Sequence, residues 1–170
     1  MFNYLKYSAI FVLLCLLTAC ATTSTTVVDE EVVTNKQPMA TYKSLVIRNF
    51  DLSRDLYTNV PEERMSERER NYARMPDELA RQIERYVLSR HIYQEVTRDG
   101  EITGTTLVLK GKFTRVGRFR VSITATLHDG ATGQEVAYFR QTLWDVFDTS
   151  ETLNSLAREV SDFIDRIQYK

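Results

Sequence analysis

The fold is decided by residues 119–136, which read FRVSITATLHDGATGQEV. Apolar side chains at every second position over residues 119–127 alternate with polar ones, and this period of two is typical of a half-buried β-strand. The Asp-Gly-Ala-Thr-Gly run at 129–133 is typical of a hairpin loop. A further strand is expected over residues 135–144. The sequence therefore predicts an antiparallel sheet in the second half of the chain.

Shorter apolar runs predict three more strands. Residues 44–50 read SLVIRNF and have the composition of a buried strand. Residues 92–97 alternate between the two faces of a strand, and residues 107–114 do the same after an Asp-Gly turn at 99–100. A tight reversal at 116–118 then leads into the hairpin.

Two segments have the apolar spacing of amphipathic helices. The first is expected to open at Pro76, which fits a first turn and is followed by two acids that complement the positive end of a helix. The second follows Asp148, a suitable N-cap, and has an apolar stripe over residues 153–167. The order β-α-β-β-β-β-α predicts an α+β fold, a two-layer sandwich with both helices on one face of a mainly antiparallel sheet of four to five strands.

The stretch from Asp51 to Met75 is expected to be the least regular part of the domain. It has few apolar residues, and its acidic and basic side chains nearly balance. We expect a mobile loop or a loosely held helix here. Because long loops in compact domains often have a function, this stretch is the second candidate surface.

The amino terminus has the order of a secretory signal. Lys6 precedes an apolar run over residues 9–17, and Leu17-Thr18-Ala19-Cys20 closes it. The run is shorter than the roughly 20 residues that a membrane-spanning helix needs. The closing residues resemble the lipobox of bacterial lipoproteins, which implies a signal peptide over residues 1–19 and a lipid on Cys20. A plain secretory signal is the alternative, and it would leave Cys20 as the one thiol of the mature chain.

Residues 20–41 are predicted to be the lipidated cysteine and a flexible tether, because they are rich in threonine and lack glycine. Residues 42–170 then form a single periplasmic domain. By the same resemblance, Ala21 favours the outer membrane, since inner-membrane retention usually has Asp at that position. The formal net charge of −1 becomes −2 when Lys6 leaves with the signal, which predicts no attraction to nucleic acid.

Reactive groups are few in the predicted mature chain. His91 and His128 are its two histidines, and neither has the spacing of a metal site. The sequence contains no nucleophile elbow, phosphate-binding loop or dinucleotide-binding motif. We therefore expect no enzymatic activity, no catalytic residues, no metal and no cofactor.

A binding surface is predicted on the sheet face opposite the helices. Basic groups interleaved with aromatic ones suit a protein partner or an acidic glycan. An ordinary solvated strand face is the alternative. The candidate residues are Lys110, Lys112, Arg120, Tyr138, Arg140 and Trp144.

Four segments together with the last helix resemble a group of envelope proteins. They are residues 44–50, 92–96, 108–113 and 126–136. The pattern, over about residues 42–168, is similar to the amino-terminal domain of TolB and to the lipoproteins CsgG and LpoB, and it is nearest to relatives of unknown function. The resemblance implies a non-enzymatic domain that docks on other envelope proteins.

The leading functional hypothesis is a lipid-anchored interaction module that assembles or regulates an envelope complex. One alternative is a structural subunit that self-assembles for export or secretion. Another is a binder of an anionic envelope glycan. The membrane, reached through the lipid, and an envelope protein are the expected partners, and no oligomeric state is predicted.

Overall fold

The computed structural model describes residues 28–35, 37–144, 146 and 148–169. The predicted signal peptide and Cys20 lie outside this range. Within it, the elements in chain order are β1 (Val28–Val33), β2 (Ser44–Ile47), α1 (Glu67–Arg90), β3 (Glu95–Thr97), β4 (Thr106–Arg115), β5 (Arg120–Asp129), β6 (Glu135–Trp144) and α2 (Thr149–Ile167).

The six strands form one mixed sheet in the order β1-β6-β5-β4-β2-β3. The pairs β1–β6, β6–β5 and β5–β4 are antiparallel, whereas β2 runs parallel to both β3 and β4. The predicted α+β class is confirmed, with six strands instead of four to five.

The core lies between one face of the sheet and the two helices. Alternate residues of β5, including Ile123 and Leu127, are fully buried against it. Phe139 of β6 packs on Phe163 of α2 with ring centres 5.2 Å apart. The apolar stripe predicted for α2 is buried along its length. Asp148 caps this helix, because its carboxylate accepts hydrogen bonds from the backbone amides of Ser150 and Glu151. Both helices therefore cover the same face, and the other face is left open.

The predicted tether over residues 20–41 is wrong in its second half. Val28–Val33 forms an edge strand that pairs with β6. Val33 packs partly on the core, and Glu31 forms an ion pair with Arg166 of α2. Three consecutive acids separate the valines in sequence, and an edge strand needs apolar contacts on one face only, so the composition resembled that of a tether. The folded domain therefore includes residues 28–33, which the predicted boundary at residue 42 left outside it.

The predicted start of α1 at Pro76 is also wrong, because the helix begins nine residues earlier at Glu67. Ser66 and Glu69 form a capping box, in which the amide of Ser66 donates to Glu69 Oε2 over 2.7 Å. Hydrogen bonds from the hydroxyls of Thr58 and Ser66 lower the pKa of Glu69 to about 2. The helix continues through Pro76. In the added turns before it, the side chains of Tyr72 and Met75 are buried in the core. Tertiary burial thus compensates for the hydrogen bond that proline cannot donate.

Two strand boundaries also differ from the prediction. β3 contains only Glu95–Thr97, because the segment before it passes from the left-handed cap of α1 at His91 into the sheet. Phe119 was expected on the core face of β5, yet it precedes that strand and is 63% exposed.

Candidate interaction surface

The open face is the side of the sheet that the helices leave uncovered. All six predicted surface residues lie on it. At its centre, Thr124 of β5 pairs with Lys112 of β4 on one side and with Arg140 of β6 on the other. Two residues along, Thr126 pairs with Lys110 and Tyr138. The register therefore brings together four side chains that are up to 30 positions apart in the sequence.

A stacked pair closes one end of the open face. Arg120 and Trp144 are register partners, and the guanidinium carbon lies 4.7 Å from the centre of the indole ring. This distance is within the range of a cation–π interaction. Trp144 remains 64% exposed, so the face of its ring opposite the guanidinium is available to a partner.

Arg115 also belongs to this surface, and the sequence analysis missed it. A β-bulge between Phe113 and Arg115 shifts the register, so that Arg115 pairs with Ser122 of the open face. A strict period of two continued from Phe113 would have placed Arg115 on the helix side. Within the described ranges, none of the five cations of the open face forms an ion pair. The five are Lys110, Lys112, Arg115, Arg120 and Arg140.

Acidic residues of β1 border the open face at one edge. Glu30 is the register partner of Arg140, and Val32 is that of Tyr138. Asp29 accepts a hydrogen bond from Thr142, whose hydroxyl lies 3.0 Å from that of Ser122. The sequence analysis did not predict this edge, because it places residues 20–41 in a tether. The basic character is therefore concentrated on β4 and β5 and on the adjoining side of β6.

The two histidines make local contacts. His128 Nδ1 lies 3.1 Å from the carbonyl of Gly133, which can only accept, so this nitrogen donates and Nε2 accepts from Thr126 in the neutral ring. His91 is the exposed C-cap of α1 in the left-handed conformation, with φ of 54°. In the part of the chain that the structure describes, no three His, Cys, Asp or Glu side chains cluster as a metal site would require.

The predicted loop surface is shorter and more regular than expected. Residues 51–66 contain two 3-10 turns, Arg54–Leu56 and Glu62–Arg64. A groove of about 820 Å³ is lined by residues of the segment 53–61. The side chains around it are mixed in charge and include no recognisable reactive group.

Neither α1 nor α2 is long and apolar enough to cross a bilayer.

No protein-family model matches this chain, and no curated protein does. Among solved structures, a chain of the PelC dodecamer from Paraburkholderia phytofirmans is similar, with a TM-score of 0.53, 16% identity and coverage of 79% of this chain and 95% of that one. A Xanthomonas campestris protein of the DUF330 family has a TM-score of 0.46 at 13% identity, covering 81% of this chain and 88% of that one.

A protein of Caulobacter crescentus CB15, named as a candidate lipoprotein, has a TM-score of 0.42 at 13% identity and covers 78% of this chain and 95% of that one. At these identities the likeness to PelC establishes a shared fold and nothing further. The resemblance to TolB, CsgG and LpoB stays a prediction.

Proposed function

We propose that this chain is a lipid-anchored periplasmic module that binds another envelope protein through the open face of its sheet, without catalysing a reaction. The proposal takes Cys20 as the lipid attachment site and the outer membrane as the location. The observation that supports it most directly is the group of five cations on the open face, interleaved with Tyr138 and Trp144. None of the five forms an ion pair within the described ranges.

The charge distribution favours an acidic partner surface. The whole chain is slightly acidic, so the cations of the open face are a local feature and not a consequence of composition. Lys112 of β4 and Arg140 of β6 are both register partners of Thr124, so the two positive side chains lie on either side of β5. Such an arrangement gives specificity and faster association with an acidic patch. Tyr138 and Trp144 supply the aromatic area that interface centres favour.

A charge-reversal experiment tests this function. Lys112→Glu with Arg140→Glu changes the centre of the open face, and Arg85→Glu with Arg158→Glu changes two exposed helix cations by the same total charge. Each variant is crosslinked in cells through a photoreactive residue at position 124, and the products are identified by mass spectrometry. We expect the partner to be lost from the first variant and kept by the second. Equal capture by both folded variants would contradict the proposal.

A second candidate function is self-assembly into a structural subunit of an export complex. The observation that favours it is the similarity in fold to a chain of the PelC dodecamer, which covers 95% of that chain. Light scattering after size-exclusion chromatography of the mature chain with Cys20→Ser measures its mass. A single defined multimer would favour this candidate, and a monomer at all concentrations would exclude it for the chain without its lipid.

A further inference from the structure

The structure places the exposed aromatic and basic side chains of the β4–β5 hairpin at the same end of the sheet as Val28, the first residue of β1. β1 is antiparallel to β6, and its first residue, Val28, pairs with Gln141. Trp144 at the end of β6 pairs with Arg120 at the start of β5. The amino-terminal end of β1 and the hairpin at residues 116–119 are therefore at the same end of the sheet, which we call the Trp144 end.

The distance from this end to the predicted lipid is short. Eight residue steps separate Cys20 from Val28, and a fully extended chain of that length spans no more than about 29 Å. If Cys20 is lipidated, the Trp144 end is consequently the part of the domain that the anchor holds nearest to the bilayer. The opposite end, with the loop at 130–134 and the end of α2, is farther away by about the length of a ten-residue strand.

The side chains of the Trp144 end suit a membrane surface. Phe119 and Trp144 are 63% and 64% exposed, although both are large and apolar. A guanidinium group lies beside each ring, with Arg118 at 5.7 Å from the Phe119 centre and Arg120 at 4.7 Å from the indole. Tryptophan is enriched at membrane interfaces, and arginine at such a depth can reach anionic headgroups.

Two acids at this end make hydrogen bonds within the protein. Asp29 accepts a hydrogen bond from Thr142, and Asp148 caps α2. The β4–β5 hairpin carries Arg115, Arg118 and Arg120, and no acidic residue lies between them in the sequence. The local charge therefore complements a phosphate-rich surface.

We infer that the Trp144 end rests on the lipid surface that bears the anchor, with Phe119 and Trp144 in the interface and the adjacent arginines on anionic headgroups. This inference rests on the membrane anchor of the proposed function. It narrows the protein-binding part of the open face: Arg115, Arg120 and Trp144 contact the lipid, and Lys110, Lys112, Tyr138 and Arg140 contact the protein partner. A lipid anchor alone holds the domain near the bilayer without fixing its orientation, so a second contact of this kind would set the orientation of the open face.

Trp144 provides a direct test because it is the only tryptophan of the chain. The mature lipidated protein is reconstituted into vesicles of phosphatidylethanolamine and phosphatidylglycerol, with and without brominated acyl chains. We expect the Trp144 emission to shift to shorter wavelength than in detergent-free Cys20→Ser protein, to lose quenching by acrylamide and to gain quenching by brominated lipid. Arg118→Ser with Phe119→Ser should reverse these changes in part.

Leu88→Ser with Arg85→Ser is the matched control, because it removes an exposed apolar and a basic residue from α1. It should leave the Trp144 signal unchanged. In one outcome the lipidated protein sediments with vesicles, yet acrylamide still quenches Trp144 and brominated lipid does not. This outcome would overturn the inference and leave the anchor of the proposed function intact. Shielding from acrylamide without bromine quenching indicates contact with protein and also overturns the inference. A mass spectrum showing unlipidated Cys20 would overturn the anchor of the proposed function, and this inference with it.

Discussion

Arg120 and Trp144 face each other across the β5–β6 ladder, with the guanidinium carbon 4.7 Å from the indole centre. The pair joins the start of one strand to the end of the next and keeps a large aromatic side chain in a defined position at the surface. Since the ring is mostly exposed, the stacking restrains its rotamer more than it adds to the stability of the fold.

A double-mutant cycle measures this pair. Arg120→Gln and Trp144→Leu should show a coupling of about 0.5–1 kcal/mol in urea unfolding, the range for an exposed cation–π contact. Arg140→Gln with Trp144→Leu is the control, because the two residues are four positions apart along β6 and should be additive to within about 0.5 kcal/mol. Equal coupling in both cycles would contradict a specific contact between Arg120 and Trp144.

The hydrogen bond from Tyr42 to Asp129 predicts a pH-dependent stability. The Tyr42 hydroxyl donates to Asp129 Oδ2 over 2.7 Å. This bond lowers the pKa of Asp129, and burial together with the carboxylate raises the pKa of Tyr42 to about 12. The stabilisation from Asp129 is present above the ordinary carboxyl pKa and is lost as pH falls through the lowered value. The stabilisation from Tyr42 is present below about pH 10 and is lost as pH rises toward 12.

Tyr42→Phe should therefore reduce the free energy of unfolding by about 1 kcal/mol at neutral pH, because Asp129 is only half-buried and solvent screens part of the interaction. The difference from the native protein should shrink in acid and in strong base, as measured by urea unfolding across pH. Tyr86→Phe is the control: its hydroxyl donates to Asn154 Oδ1 over 2.6 Å, and an amide does not titrate in acid. A loss at Tyr42 that is constant in acid would show that Asp129 is not its partner.

Gln141 is fully buried on the core side of β6, and neither its amide nitrogen nor its oxygen has a hydrogen-bond partner among the described residues. Gln141→Met keeps the length of the side chain and removes the unpaired polar atoms. We expect the free energy of unfolding to rise by about 1–2 kcal/mol. The same change at exposed Gln94 should have little effect. Destabilisation at position 141 would indicate that a bound water satisfies the native amide.

Gly111 leaves the space on β4 that the ring of Phe50 occupies. A Cβ atom at this position would lie 2.2–2.6 Å from three atoms of that ring. Gly111→Ala should destabilise the fold by about 1–3 kcal/mol through overpacking, measured by thermal unfolding. In a Phe50→Leu background the further loss should be smaller. Gly104→Ala, whose Cβ would meet only Ala131 at 3.9 Å, should be close to neutral, and a similar loss at both positions would contradict the steric explanation.

Local patterns were sufficient for the elements whose residues alternate or repeat regularly. The period of two over residues 121–127 placed β5, the loop at 129–134 placed its hairpin with β6, and the apolar stripe with Asp148 placed α2. These signals are local because a strand or helix with one buried face repeats its apolar residues at the period of its own backbone. The open-face positions of Lys110, Lys112 and Arg140 follow from the same alternation.

Only the tertiary structure decided which segments become neighbours. β1 is ordered by pairing with β6, more than 100 residues later, and by the contact of Glu31 with Arg166, so no local pattern predicts it. α1 extends back to Glu67 because Tyr72 and Met75 find the core, and Arg115 reaches the open face through a bulge. Register and burial depend on residues distant in sequence. For this reason the sequence alone predicted most of the elements, but neither β1 nor the Trp144 end that the elements form together.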